Sequence, residues 1–157
     1  MGSETLGPGC AGEVCPSVFE GRRQGVITLD TSALLAAVDA GDPRHEQALQ
    51  MSTSDPGPLV VPAGILAEAT YMIESRMGQA TLVAFLGDLE MGALKLDCGE
   101  GDFPRIRELV IRYEDLQLGF ADAAVIACAE RHGGSVLTFD AGDFRVVSGE
   151  GAIRVVP

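Results

Sequence analysis

The sequence predicts an α/β fold: a three-layer α/β/α sandwich with a central parallel sheet of about five strands. Three observations predict it. Short apolar runs recur along the chain: "VITL", "PLVVP", "ALKLDC", "SVLTF" and "AIRVV". Longer segments with helical start and stop signals separate them. Strands separated in this way by helices imply right-handed crossovers and a sheet covered on both faces. A chain of 157 residues fits one domain with one substantial core.

The first strand is expected at 26–29, where Val, Ile, Thr and Leu favour a buried strand. Asp30, Thr31 and Ser32 each carry a capping side chain, and a helix follows over 32–38. Asp42-Pro43 reads as a cap with proline at the first helical position, opening a helix through about residue 51. The second strand, 58–62, is bounded by prolines. Helices are expected over 65–76 and 79–90, divided at Gly78, before a third strand in "ALKLDC". Further helices span 104–113 and 121–131, the second closed by the stop signal "HGG". "SVLTF" and "AIRVV" supply the fourth and fifth strands. Residues 1–25 hold glycine, proline and two cysteines without a sustained period. They are expected to form a flexible N-terminal extension to a domain spanning 26–157.

Composition narrows the classes. The chain is 46% hydrophobic and 22% charged, with a formal net charge of −12. That balance argues against a non-specific DNA-binding surface, which needs a basic excess. It leaves room for a nucleic-acid enzyme with bound divalent cations and a local arginine patch. Ten of the eleven basic residues are arginine, a bias that suits bidentate contacts to phosphate or carboxylate and also arises from genomic composition. No apolar run approaches the ~20 residues of a membrane span. The N-terminus lacks a basic region followed by a hydrophobic run, so a soluble, cytoplasmic protein is expected. Cys10, Cys15, Cys98 and Cys128 form no Cys-x-x-Cys pair, and only His45 and His132 could assist them. A zinc site is not expected, and Cys128 in "AVIACAE" reads as a small core residue.

In open parallel sheets, sites form beyond the carboxyl ends of the strands. Asp30 stands at one such end and Asp140 at another, directly after "VLTF". If the first and fourth strands are neighbours, both emerge on one edge. Glu68, early in the helix after the second strand, and Asp122, in the first turn of an otherwise apolar helix, can reach the same edge. Each acid has a simpler explanation. Asp122 could complement a helix N-terminus, Glu68 could face solvent, and Asp30 and Asp140 could cap or turn the chain. Asp143 reads first as a turn former. The convergence of four acids is harder to explain this way. Two carboxylates ~4 Å apart repel by about 4 kcal/mol at an effective dielectric of 20, so a cluster must protonate, disperse or bind a cation. Oxygen donors without histidine or thiolate favour magnesium or manganese over zinc.

The ordered set "VITLDTSALLA", Glu68 after "VVP", "LGFADAAVIACAE" and "VLTFDAGDF" resembles PIN-domain proteins, and more narrowly the VapC-type toxins of bacterial toxin–antitoxin pairs. The likeness runs from Val26 to about Pro157. It implies metal-dependent hydrolysis of RNA (tRNA, rRNA or mRNA), with Mg2+ or Mn2+ as cofactor. It also implies a small cognate antitoxin as partner and a homodimer. The acidic quartet of the family carries over as Asp30, Glu68, Asp122 and Asp140, acting both as catalytic residues and as metal ligands, with Asp143 as an outer helper. Thr138 corresponds to a threonine that positions water or metal. The N-terminal extension departs from the family pattern.

Two other classes share parts of this pattern. A phosphoaspartyl phosphatase or receiver domain also places an aspartate at a first-strand tip. The phosphatase wants a second aspartate where Ser32 stands, and the receiver wants a lysine after a late strand, whereas the chain has only Lys95. A non-catalytic interaction module of the same fold would have no need of the full quartet.

Overall fold

The computed structural model describes residues 25–54 and 56–156. In chain order the elements are β1 (Ile27–Leu29), α1 (Thr31–Val38), α2 (His45–Ser54), β2 (Leu59–Pro62), α3 (Ala63–Met77), α4 (Gln79–Glu90) and β3 (Leu94–Asp97). There follow α5 (Phe103–Arg112), α6 (Phe120–Arg131), β4 (Ser135–Leu137), α7 (Gly142–Ser148) and β5 (Arg154–Val156). Short 3₁₀ turns precede α5 at Glu100–Asp102 and follow it at Glu114–Leu116. The expected extension at 1–25 falls outside the described residues except for Gly25.

All five strands are parallel, in the order β3-β2-β1-β4-β5. The expected three-layer α/β/α sandwich is therefore the observed one. β1 and β4 are buried along their whole length, and β1 lies at the centre. This is why both read as continuous apolar runs rather than alternating ones. The edge strands β3 and β5 are partly exposed and carry Lys95 and Arg154. Ile65, Ala69 and Ile73 of α3, Phe85 of α4, Leu109 of α5 and residues 123–129 of α6 fill the core against the sheet.

Strand order determines where a site can form. From β1 the chain builds outward through β2 to β3, then returns to place β4 on the other side of β1. The connections leave β1 and β4 in opposite directions, which opens a crevice at their carboxyl ends. Leu29 pairs with Leu137 in register, and the Asp30 N–H donates to the Leu137 carbonyl at 3.0 Å, the last rung of the ladder.

Three expectations need correction. The fourth strand ends at Leu137, not at residue 139. Beyond it the Phe139 and Asp140 N–H groups donate to the Ser32 and Thr138 hydroxyls at 2.9 and 3.0 Å instead of to a neighbouring strand. Asp140 thus stands three residues past the end of the strand. The helix after Asp42-Pro43 begins at His45, because Asp42 first closes a turn onto the Arg44 N–H at 2.7 Å. Finally, α7 was not expected at all.

Candidate active site

β1 delivers Asp30 into the crevice. It is 6% exposed and serves as N-cap of α1. Three donors converge on its Oδ2: the Ser32 N–H at 3.3 Å, the Ser32 hydroxyl at 2.8 Å and the Thr138 hydroxyl at 2.9 Å. Among the described residues no donor meets Oδ1. One oxygen of the carboxylate is thus anchored and the other is available to a ligand.

Ser32 and Thr138 link the loops around that anchor. Each hydroxyl donates to Asp30 while accepting a backbone N–H from the segment after β4, Phe139 for Ser32 and Asp140 for Thr138. The strand that should have continued is redirected by these two side chains, and Asp140 is placed beside Asp30. Glu68 comes from the second turn of α3, where it accepts the Thr31 hydroxyl at 3.4 Å. Asp122 lies in the first turn of α6, half-buried. Asp143 lies in the first turn of α7.

All five acids line one open cleft of about 530 Å³, together with Thr31, Ser32, Asp42, Arg44, Arg76 and Phe139 among others. The structure therefore brings together every acid that the sequence singles out, including Asp143. The Asp122 carboxyl is pushed up to about 6, first by burial and then by the charges of Asp30, Asp143, Asp140 and Glu68. Asp143 presses on it more strongly than Asp140 or Glu68. It lies in the first turn of α7, a helix that was not expected from the sequence.

This donor set fits a hard divalent cation. It offers carboxylate oxygens from four or five separate elements, one half-buried acid whose pKa is raised by burial and then by its neighbours, and no imidazole or thiol. His45 is occupied elsewhere, donating from Nδ1 to the Ala36 carbonyl at 3.0 Å and so tying α2 to α1.

A second grouping, Asp97, Cys128 and His132, brings three potential ligand atoms within 4.8 Å of one another. A cation already occupies it. The Arg131 guanidinium donates to both Asp97 oxygens at 2.7 and 2.9 Å and to both Asp102 oxygens at 2.8 and 2.9 Å. Burial, then the Asp97 charge, pushes the Cys128 thiol up to about 11, so no thiolate is on offer at neutral pH. This is an ion-pair network that fastens the end of α6 to β3.

A parallel sheet whose switch point gathers carboxylates from both sides defines an α/β domain with an acidic site. The sequence matches the PIN domain family over residues 27–150, and the chain belongs to that family. Among known relatives, Ribonuclease VapC26 of Mycobacterium tuberculosis is 35% identical over 135 residues, which cover 83% of this chain and 100% of the relative. Among solved structures, VapC20 of Mycobacterium tuberculosis, a sarcin–ricin loop cleaving toxin, superposes with a TM-score of 0.68 at 26% identity, covering 77% of this chain and 94% of that one. VapBC2 from Rickettsia felis, bound to a DNA fragment from its promoter, gives 0.63 at 15% identity over 83% and 97% of the two chains. FitAcB from Neisseria gonorrhoeae gives 0.54 at 17% identity over 83% and 96%. The last two are likenesses of fold alone. Among the described residues no helix is long and apolar enough to cross a membrane.

Proposed function

We propose that the protein is a Mg2+- or Mn2+-dependent endoribonuclease, the toxin of a toxin–antitoxin pair, and that Asp30, Glu68, Asp122 and Asp140 form its catalytic centre. The observation that carries this reading is the convergence of these acids, with Asp143, on one cleft at the β1/β4 switch point. A relative of 35% identity that bears the name ribonuclease supports it.

Hydrolysis of a phosphodiester needs an in-line water, relief of charge on the phosphoryl oxygens and support for the leaving oxygen. A divalent cation bound among these acids supplies charge neutralisation at the phosphoryl oxygen and a more acidic water. Asp30 and Asp122 hold the principal ion. Asp30 suits this role because Ser32 and Thr138 fix its Oδ2 and leave Oδ1 to bind. Glu68 and Asp140, both exposed at the rim, orient the attacking water or hold a second ion. Asp143 adds an outer carboxylate to the same cleft.

The same reading includes an antitoxin that inhibits by placing an arginine among the carboxylates, and a homodimer. The inner face of α3 is not available for pairing, since Ile65, Ala69 and Ile73 are buried in the protein's own core. Tyr71 of α3 with Val83 and Leu86 of α4 are the exposed apolar residues that support an interface there.

The test is incubation of the purified protein with total cellular RNA in Mg2+, with end mapping of the fragments. Discrete new ends absent from an EDTA control are expected. Intact RNA under every metal condition overturns the reading.

A further inference from the structure

We propose that Arg44 and Arg76 bind RNA phosphates on the two sides of the acidic centre, with Phe139 as the platform that holds the Arg44 guanidinium in place. This rests on the ribonuclease reading above and names how that substrate is held.

A polyanion approaching this cleft meets six carboxylates, Asp42 included, on a chain of net charge −12. One or two cations at the centre offset part of that repulsion, but flanking phosphates need basic groups of their own. Arg44 and Arg76 are the basic side chains that line the cleft. Other arginines are committed elsewhere: Arg105 to Glu108 and Glu130, Arg112 to Glu150, and Arg131 to Asp97 and Asp102.

Arg76 has no carboxylate partner among the described residues. It shares a stripe of α3 with Glu68 and Met72, at spacings of four and eight residues, and all three line the cleft. Eight residues of helix carry it about 12 Å along the axis from Glu68. That is too far for the scissile phosphate and suits a neighbouring one.

Arg44 is exposed but held in position. Asp42 accepts from its Nε and from one terminal nitrogen, both at 3.1 Å, and its guanidinium carbon lies 5.1 Å from the centroid of the Phe139 ring. Of the five N–H donors of a guanidinium, Asp42 takes one edge and fixes the plane. The other edge remains to donate. Phe139 lies between Thr138 and Asp140, so this platform is built into the loop that carries the acids. In the strand order β2-β1-β4, Arg76 follows β2 and Phe139 follows β4, so the two arginines flank Asp30 from different sides. Bidentate donors of this kind, one of them stacked, suit phosphate better than a flexible ammonium does.

The experiment measures binding of a fluorescein-labelled RNA hairpin with a single-stranded loop by anisotropy across a KCl series. It uses full-length Asp122→Asn protein, so that the RNA stays intact. Arg44→Gln and Arg76→Gln, each added to that background, should weaken binding about ten-fold and flatten the slope of log Kd against log salt by about 0.7. Arg76→Lys should keep the slope, because the charge remains. Arg44→Lys should weaken binding as Arg44→Gln does, because a lysine loses the fork to Asp42 and the stacking on Phe139, but should keep the slope, because the charge remains. Arg107→Gln, on α5 and outside the cleft, should change nothing and controls for net charge. Binding with unchanged slopes in both glutamine variants overturns the assignment and leaves the ribonuclease reading standing. No binding by the background, together with no cleavage of any RNA by the wild type, overturns the reading on which the assignment rests.

Discussion

The Thr138 hydroxyl donates to Asp30 Oδ2 at 2.9 Å across 108 positions of sequence, joining the ends of β1 and β4 at the point where the sheet changes direction. The same oxygen accepts the Asp140 N–H at 3.0 Å. One buried side chain therefore orients one acid and positions the backbone of another. Thr138→Val keeps the shape and removes both bonds. It should cost about 1–3 kcal/mol of stability by denaturant titration and lower RNA cleavage by about ten-fold or more. Thr138→Ser should restore most of both. A valine variant with unchanged activity would mean that the link is incidental.

Asp122 is the cleanest place to test repulsion among the acids. Asp30→Asn also relieves charge, but it weakens an acceptor that three donors share. Asp122 is held up at about 6 against an ordinary value of 3.8. The folded protein thus binds this proton more tightly than the unfolded chain does. Its contribution to stability is present at the acid end, is lost as pH rises from about 4 to about 6, and stays lost above that. Asp122→Asn removes the dependence. In EDTA the variant should melt higher than wild type at pH 8, by about 1 kcal/mol after solvent screening. The gap should close toward pH 5. Melting curves with the opposite trend would show that Asp122 is stabilised as an anion.

Gly64 lies one turn before Glu68 on α3 and meets α6 two residues beyond Asp122. A Cβ at Gly64 would lie 2.5 Å from the Ala124 Cβ. Gly64→Ala must push α3 and α6 apart, at a cost of about 1–3 kcal/mol. Because these helices carry Glu68 and Asp122, cleavage should fall even under conditions where circular dichroism shows the variant folded. Full activity in a folded variant would show that the site tolerates their separation.

Arg131 holds Asp97 and Asp102 together at the end of α6, and Asp102 is 8% exposed. Hydrogen bonds from Arg131 keep the Asp97 carboxyl well below the usual carboxylate range, so its contribution is present at neutral pH and lost as pH falls below about 4. Arg131→Leu leaves two carboxylates without their cation. It should destabilise by about 1–2 kcal/mol once the partial exposure of the guanidinium is allowed for, and acid unfolding should begin from that lower baseline. RNA cleavage at 25 °C should be retained, since the network lies outside the acidic cleft.

Much of the fold was legible because its signals are local. Continuous apolar runs mark β1 and β4, which are buried on both faces. Gly78 divides α3 from α4, and the apolar body of α6 with Gly133-Gly134 after it marks a buried helix and its stop. Asp30 and Asp140 were legible as carboxylates after apolar strands, and Glu68 and Asp122 as acids set in otherwise apolar helices. The rest depended on contacts distant in sequence. Nothing in "SVLTF" shows that Ser32 and Thr138 draw the backbone away from the sheet after Leu137. α7, with glycine at its start and two adjacent valines, has weak helical propensity and forms where Phe144 and Val147 enter the core. Without that helix, Asp143 looked like a turn residue. The Asp42–Arg44–Phe139 arrangement was likewise out of reach, since its ring and guanidinium lie 95 positions apart and meet only in the folded chain.

A divalent cation bound in the acidic cleft should be what enables RNA hydrolysis. The most direct measurement titrates Mg2+ into EDTA-stripped protein and follows the melting temperature and the RNA cleavage rate in parallel. Both should rise with the same half-saturating concentration, and Asp122→Asn should flatten both curves. At ten times the dissociation constant the stabilisation should be about 1.4 kcal/mol. Full-rate cleavage in chelator, with the activity co-purifying with the protein, would contradict this role of the ion.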